Sequence, residues 1–583
     1  MLETLQQLEK EIIQERDLQS QQIHKQWMLT LPERIDAGRA LGHLVIDSID
    51  FTLKMIHFIP PTEDFAFFKE QQRVRISQNA PDSSYFSGVF FGLTDKGLTV
   101  RCMACDLLDF ENKSGWSVDE EFIDISDFYL QGLKALAEED HGRENVYPVL
   151  FEDRPATIDA ETYEDIYDAL DESDSPLNEP QKDSVATALA ASPMHLIQGP
   201  PGTGKTQTLA RLVEQLILKG HRVLISGFTH RSIHQALSKV HALIGNECPV
   251  IKISAPVATE NLPFPVFASL GESELDMHEG PYVIGATPFA LYTKRLSAAH
   301  FDSAVVDETS QLTVPAAIMV MMKSDRWFFF GDDKQLPPVS DLHRDDPSLA
   351  SVFARLKKQT EFTTLNITYR MNQQLTQWPS EMFYYGELET FYPDQKFNLK
   401  SSPQGKTYRE ILSSDHSLIS VKLSCMDAKS YNDDEADLTA GIIEELMDCG
   451  MAPDEIGIVS PFRAQASRIR TLLRTVISPL HQHLERSITV DTVDRFQGQE
   501  RDVILYTFTS ADFDFIRKVS SFLLNPARIN VAVTRARTKV ILLYSQGLLD
   551  YVQSNANSDE LCSLFLSLID ESHPVSISSD IYG

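Results

Sequence analysis

Cysteine is scarce, with 6 in 583 residues, and its spacing does not suggest a disulfide framework. Long hydrophobic runs are missing too. The longest, residues 314–322, is half the ~18 residues that a membrane-spanning helix needs. The first residues, Met1-Leu-Glu-Thr4, lead into a mixed charged stretch, so no basic start and apolar core of an export signal is read there. Positive charge is in deficit: 52 Lys and Arg stand against 84 Asp and Glu, a net of −32. That excludes the broad basic footprint of many nucleic-acid binders. Part of the excess is local, because residues 137–183 hold 16 acidic and 3 basic side chains. Any strand-binding site must then be a confined groove that relies on hydrogen bonds and stacking more than on a wide field. With 42% hydrophobic and 23% charged residues the composition is that of a globular protein. The length implies several domains at roughly 100–200 residues each. The expectation is a soluble, cytoplasmic, multidomain chain with no membrane partner.

Residues 1–30 carry Leu5, Leu8, Ile12, Ile23 and Trp27 mostly on one stripe, which predicts a packing helix. Residues 31–125 change to short β-rich runs, 44–51, 86–93 and 98–103, the last two joined by Thr94-Asp-Lys-Gly97. Several short strands in so small a space predict a small barrel. An acidic, helical stretch follows over 126–175. From about residue 194 short apolar runs alternate with helical windows. One set is 194–198, 222–226, 282–286, 303–307 and 327–331, and a second is 456–460, 487–491, 502–507 and 539–545. This pattern predicts parallel sheets in two α/β domains, 176–355 and 356–583. Cys102-x-x-Cys105 reads as a buried structural pair, because zinc needs four ligands and no second pair exists. Cys248, Cys425, Cys449 and Cys562 are too dispersed to suggest a cluster, and His481 and His483 read as surface residues of a polar loop.

Gly199-Pro-Pro-Gly-Thr-Gly-Lys-Thr206 follows one expected strand and opens an expected helix, the setting that a phosphate-binding loop requires. Glycines let backbone N–H groups wrap phosphate, and the helix start adds partial positive charge. Lys205 can reach the outer phosphates, and the Thr206 hydroxyl can ligate Mg²⁺. The nucleotide site therefore comprises Gly199, Pro200, Pro201, Gly202, Thr203, Gly204, Lys205, Thr206 and Gln207, with ATP and Mg²⁺ as the implied ligands. Ser303-Ala-Val-Val-Asp-Glu308 ends a strand in two carboxylates. On a strand next to the loop, Asp307 would lie near the metal and Glu308 near the attacking water, as in-line hydrolysis needs.

Four further segments complete the series: Gly331-Asp-Asp-Lys-Gln-Leu-Pro-Pro338, Thr368-Tyr-Arg-Met-Asn372, residues 490–502 (Val-Asp-Thr-Val-Asp-Arg-Phe-Gln-Gly-Gln-Glu-Arg-Asp) and Asn530-Val-Ala-Val-Thr-Arg-Ala-Arg537. With the loop and Asp307-Glu-Thr-Ser-Gln311 they resemble, in unbroken order over residues 176–550, the motif series of superfamily 1 helicases. The similarity is to the group of the nonsense-mediated-decay helicase, senataxin, the immunoglobulin mu-binding helicase and the flap nuclease–helicase. The resemblance implies two tandem RecA-like P-loop domains preceded by a helical stalk and small β-barrel. It implies Gln181, in Leu177-Asn-Glu-Pro-Gln181, as the adenine reader, Gln335 as the γ-phosphate sensor, and Glu500 near the nucleotide sugar. It also implies that Arg370 and Arg535 reach from the second domain to the γ-phosphate, a role that suits arginine's planar fork.

Strand contacts are implied in the same way. Thr229 and Arg231 lie in Ser226-Gly-Phe-Thr-His-Arg-Ser-Ile-His234, and Thr287 in Gly285-Ala-Thr-Pro288. Phe462 and Arg463 lie in Ser460-Pro-Phe-Arg-Ala-Gln465, suited to stacking and phosphate contact; Thr492 and Gln497 are further candidates. Phosphate contacts fix position without reading sequence, so weak sequence preference and strong salt dependence are expected. The chain departs from the group at His230 and His234, where the mu-binding helicase has Asn and Asp. Residues 245–281 are short for the group's helical insertion, and the 46 residues after Arg537 are too few for an added domain. The expected function is an ATP-dependent helicase or translocase on single-stranded nucleic acid, DNA before RNA, moving 5′ to 3′. The alternatives are a strand-stimulated ATPase that remodels nucleoprotein without unwinding, and an ATP-gated subunit with protein partners in a repair, RNA-processing or defence complex.

Overall fold

The computed structural model describes residues 1–59, 68, 72–94, 97–103, 107–110, 114–172, 176–254, 262–340, 342, 351–476 and 487–576. The chain forms two compact units, Met1–Arg16 with Ile125–Pro393 and Asp17–Asp124 with Asp394–Gly583.

The first unit is built on an eight-stranded sheet in the order Val266–Phe267, Val250–Ile253, Tyr282–Gly285, Arg222–Gly227, Phe301–Asp307, Ser324–Gly331, Met194–Gln198, Phe362–Thr364. Every pairing in it is parallel. A parallel sheet is covered on both faces, so its central strands are mainly apolar. In Ser324–Gly331 the side chains alternate accordingly. Trp327 and Phe329 enter one core with Leu196 and Ala304, while Phe328 and Phe330 enter the other with Ile197 and Val305. The first core also takes Leu5, Leu8 and Ile12 of the helix Leu2–Trp27, three of the five residues of the expected stripe; Ile23 and Trp27 do not enter it.

Two expectations are corrected in this unit. Residues 362–364 were expected in the second domain, but they pair with Met194–Gln198 as the outermost strand of the first sheet, and this unit runs on to Pro393. Their short run, Phe-Thr-Thr, lacks the apolar length that marks a central strand. The strand bearing Asp307 is also not next to the strand that feeds the phosphate loop. Ser324–Gly331 lies between them.

The second unit holds a six-stranded parallel sheet, ordered Thr489–Thr492, Ile456–Ser460, Arg501–Thr507, Ala536–Ser545, Leu418–Leu423, His573–Val575. It also holds a seven-stranded antiparallel sheet, ordered Ala40–Leu44, Trp116–Glu120, Arg73–Ser77, Tyr85–Thr94, Gly97–Cys102, Met55–Phe58, Ile46–Asp50. One stretch of chain, broken only at Val45, supplies both outer strands. Leu41, Ile56, Phe58, Val74, Ile76, Phe90 and Trp116 fill its core. Arg34 and Asp119 form a buried ion pair at 2.7 Å, and Trp27 Nε1 donates to the Glu120 carbonyl at 3.0 Å, fixing the preceding helices to this sheet. Cys102 is buried and disulfide-bonded; Cys105, His481 and His483 lie outside the described residues. Among the described residues no helix is long and apolar enough to cross a membrane.

Candidate functional site

The phosphate loop leaves the carboxyl end of Met194–Gln198 and enters the helix Lys205–Leu218. Its shape is forced from two directions. Gly202 and Gly204 have φ of 76° and 78°, a region that side chains rarely enter. A Cβ at Gly202 would meet the Arg370 Cβ and the Thr368 Oγ1 at 2.5 Å, and one at Gly204 would meet the Gln181 amide at 2.4 Å. The segment 368–370 is stitched to the loop by Thr368 Oγ1 donating to the Pro201 carbonyl at 2.8 Å and Tyr369 N donating to the Gly202 carbonyl at 2.8 Å. Arg370, expected on the second domain, therefore stands in the first unit beside the loop itself.

Lys205 Nζ lies 3.0 Å from Glu308 Oε1 and 3.5 Å from Asp307 Oδ1. Through this lysine Asp307 meets the loop although its strand lies two places away in the sheet. Burial disfavours the ammonium, but the carboxylates of Glu308 and Asp307 outweigh it and hold the Lys205 pKa above its ordinary value. Burial pushes Asp307 upward, with Lys205 opposing that shift. Glu308 has φ 52° and ψ 40°, a strained left-handed conformation, and its N–H donates to Asp307 Oδ1 at 2.8 Å. Thr206 and Gln207 are half-buried in the first helical turn. This set of acidic oxygens, one hydroxyl and one lysine around a glycine cradle fits a nucleotide phosphate chain with a hard, oxygen-seeking cation.

Gln335 is buried and donates from Nε2 to Asp332 Oδ2 at 2.8 Å. The same oxygen accepts from the Tyr384 hydroxyl at 2.7 Å, and the other accepts from Lys334 N at 3.1 Å. Burial raises the Asp332 pKa, with the Gln335 and Tyr384 hydrogen bonds opposing the rise. Asp332 and Tyr384 were missed in the sequence because a carboxylate and a phenol 52 residues apart carry no spacing signal. Gln181 is also buried, and its amide is engaged at both ends. Oε1 accepts from Asn178 N at 3.1 Å in a capping box, and Nε2 donates to the Thr203 carbonyl at 3.0 Å. Tyr369, also missed, accepts from Asn178 Nδ2 at 2.9 Å, and its ring lies 4.8 Å from that of Phe391.

The expected strand contacts fall on both units. In the first, Thr229 is the N-cap of His230–Ile244 and accepts from Ser232 N at 3.2 Å; Arg231 is exposed in the first turn. Thr287 precedes Pro288–Leu291 at the end of a neighbouring strand. In the second unit, Phe462 and Arg463 follow Ile456–Ser460, and Ser460 is in register with Thr492. Arg463 donates to Glu120 Oε1 at 2.8 Å, while Arg39 takes the other oxygen at 2.6 Å. Although burial opposes it, the two arginines hold the Glu120 carboxyl below its ordinary pKa. Gln497 follows the short helix Val493–Phe496. Glu500 accepts from Arg537 at 3.3 Å. Arg535 is buried, with Nε donating to the Val531 carbonyl at 3.0 Å.

Two family profiles, each described as an AAA domain, match residues 176–262 and 349–546. The DNA replication ATP-dependent helicase/nuclease dna2 of Schizosaccharomyces pombe is 27% identical over 68% of this chain and 29% of its own length. The corresponding Homo sapiens protein is 27% identical over 63% and 37%. Regulator of nonsense transcripts 1 of Dictyostelium discoideum is 30% identical over 63% and 30%. The chain thus spans only a minor part of the length of these relatives. Among solved structures, an arterivirus nonstructural protein 10 helicase aligns with 90% of this chain and 78% of its own at 14% identity and a TM-score of 0.39, too low to bear on the argument.

Proposed function

The chain belongs to the superfamily 1 helicases of the nonsense-mediated-decay and flap nuclease–helicase group, and on that premise we propose that it hydrolyses ATP to move along single-stranded nucleic acid, 5′ to 3′, on DNA in preference to RNA. The observation that carries the proposal is the placement of Lys205 Nζ against Glu308 and Asp307 at the mouth of the phosphate loop.

In this reading the N–H groups of 202–206 and the Lys205 ammonium hold the phosphate chain. Thr206 and Asp307 would hold Mg²⁺, which when bound neutralises charge on the phosphate oxygens. Glu308 orients the attacking water and takes its proton. Arg370 supplies positive charge beside Gly202, where a bridging oxygen gains charge as the bond breaks. Tyr369 supports a flat base. Gln181 serves adenine through the loop that it braces as well as through its own amide. Gln335, held by Asp332, is placed to register the terminal phosphate. Arg535 keeps the catalytic role that its motif implies, and Glu500 its sugar contact.

Thr229, Arg231, Thr287, Phe462, Arg463, Thr492 and Gln497 are proposed to contact the strand. The antiparallel sheet of the second unit is read as the small barrel of the group. The deciding experiment compares ATPase stimulation by single-stranded DNA and RNA, then unwinding of duplexes tailed at either end. Stimulation by neither strand ends the proposal; unwinding from a 3′ tail alone overturns the direction; stimulation without unwinding favours a remodelling ATPase.

A further inference from the structure

In the second unit three phenylalanines come together at the carboxyl-terminal edge of the parallel sheet. Phe462 lies two residues beyond Ile456–Ser460. Its ring centroid is 6.0 Å from that of Phe515 and 5.6 Å from that of Phe522. The last two belong to the helix Phe513–Leu523, whose Ile516 and Leu523 are buried and anchor it. Phe522 is nevertheless 36% exposed.

The Arg528 guanidinium lies 4.0 Å above the Phe522 ring. It is fixed there by two bonds to Asp494, at 2.9 and 3.0 Å. Asp494 follows Thr492, whose strand is in register with that of Ser460. Rings and guanidinium thus share one edge with Thr492 and Arg463, both proposed above to meet the strand. In open parallel sheets this edge is where ligands bind.

A core would have enclosed Phe522. A partly exposed ring beside an immobilised, half-buried guanidinium offers instead a surface on which a base can stack, since every nucleobase has a π-face and pairs with aromatic and guanidinium planes alike. Resting on the function proposed above, we propose that Phe462, Phe515, Phe522 and Arg528 form a platform for unpaired bases of the bound strand. Arg463 and Thr492 meet its phosphates, and the platform adds affinity without reading sequence. The sugar does not enter the stack, so DNA and RNA use it alike.

The test measures binding of labelled oligothymidylate, oligouridylate and an abasic strand of equal length to the full chain without nucleotide. Phe522→Ala should weaken binding of both base-bearing strands by roughly five- to a hundredfold, the range for loss of one base–aromatic stack. The abasic strand should change by less than about twofold, because it offers phosphates only. Phe522→Trp should restore the parental values. Arg528→Lys, which keeps the charge and removes the plane, should repeat the selective loss with an unaltered salt slope. If Phe522→Ala binds all three strands as the parent does, or weakens all three equally, the platform is wrong while the helicase reading stands. If the parent binds none of them, the helicase reading itself fails.

Discussion

Asp307 and Glu435 are both buried carboxyls set among the strand ends of parallel sheets, and their surroundings could hardly differ more. Asp307 faces Lys205 and adjoins Glu308, so one cation serves two acids. Glu435 accepts from Thr509 N at 2.8 Å and from the Ser545 hydroxyl at 3.2 Å. Burial drives it to about 8, which the Thr509 and Ser545 hydrogen bonds oppose. The first arrangement keeps charge available for exchange with another polyvalent partner. The second ties the loops of the second unit together with a carboxyl that is mainly neutral at pH 7. The same sheet edge is thus equipped for chemistry in one unit and for rigidity in the other, and charge pairing makes the difference.

Breaking the first arrangement has the largest effect. Lys205→Ala should lower ATP turnover by at least about 10²–10³-fold, judged from the loss of one preorganised donor. Near-parental activity in steady-state ATPase assays, with folding checked by circular dichroism, would remove the loop from the mechanism. Glu308→Gln should bind ATP with little change and hydrolyse it about 10²–10⁴ times more slowly. Parental single-turnover rates would make another group the base.

The second arrangement is read by stability against pH. Glu435 has a folded pKa above its ordinary 4.5, so between about 4.5 and 8 the folded chain holds a proton that the unfolded chain releases. Its contribution is therefore greatest below about 4.5 and is lost as pH rises toward 8. Glu435→Gln, which imitates the neutral acid, should flatten the fall in melting temperature from pH 6 to pH 9. An unchanged slope would show that Glu435 ionises normally.

The smallest effect concerns a third carboxyl, Glu120, which holds Arg39 and Arg463 at the edge proposed for the strand. Glu120→Gln should let Arg463 hold phosphate more closely, tightening single-strand binding by about two- to threefold. The salt slope should steepen by less than about 0.7, the value for one whole added phosphate contact. Unchanged binding would mean that Arg463 serves only to fasten the antiparallel sheet.

The phosphate loop, the carboxylate pair and both parallel sheets were legible because each rests on local order: glycine spacing, apolar runs, acids at a strand end. Other features were illegible for equally physical reasons. Phe362–Thr364 is half-exposed and hydroxyl-rich, so its pairing with Met194–Gln198 follows from the neighbouring backbone and not from its own pattern. Arg370 was assigned to the wrong unit because an arginine does not announce which sheet carries it. The partners of Asp332 lie at Gln335 and at Tyr384, the latter far along the chain.

The kinds of chemistry available to this protein were written in residue type and spacing, since backbone conformation and apolar period answer to near neighbours. Which charges oppose one another was settled only by folding. Lys205 meets Asp307 although their strands are not neighbours, Glu120 engages Arg463 from another sheet, and Phe522 stays partly exposed beneath Arg528. Electrostatic and stacking energies depend on distances of a few ångströms between groups remote in the chain, and packing alone sets those distances.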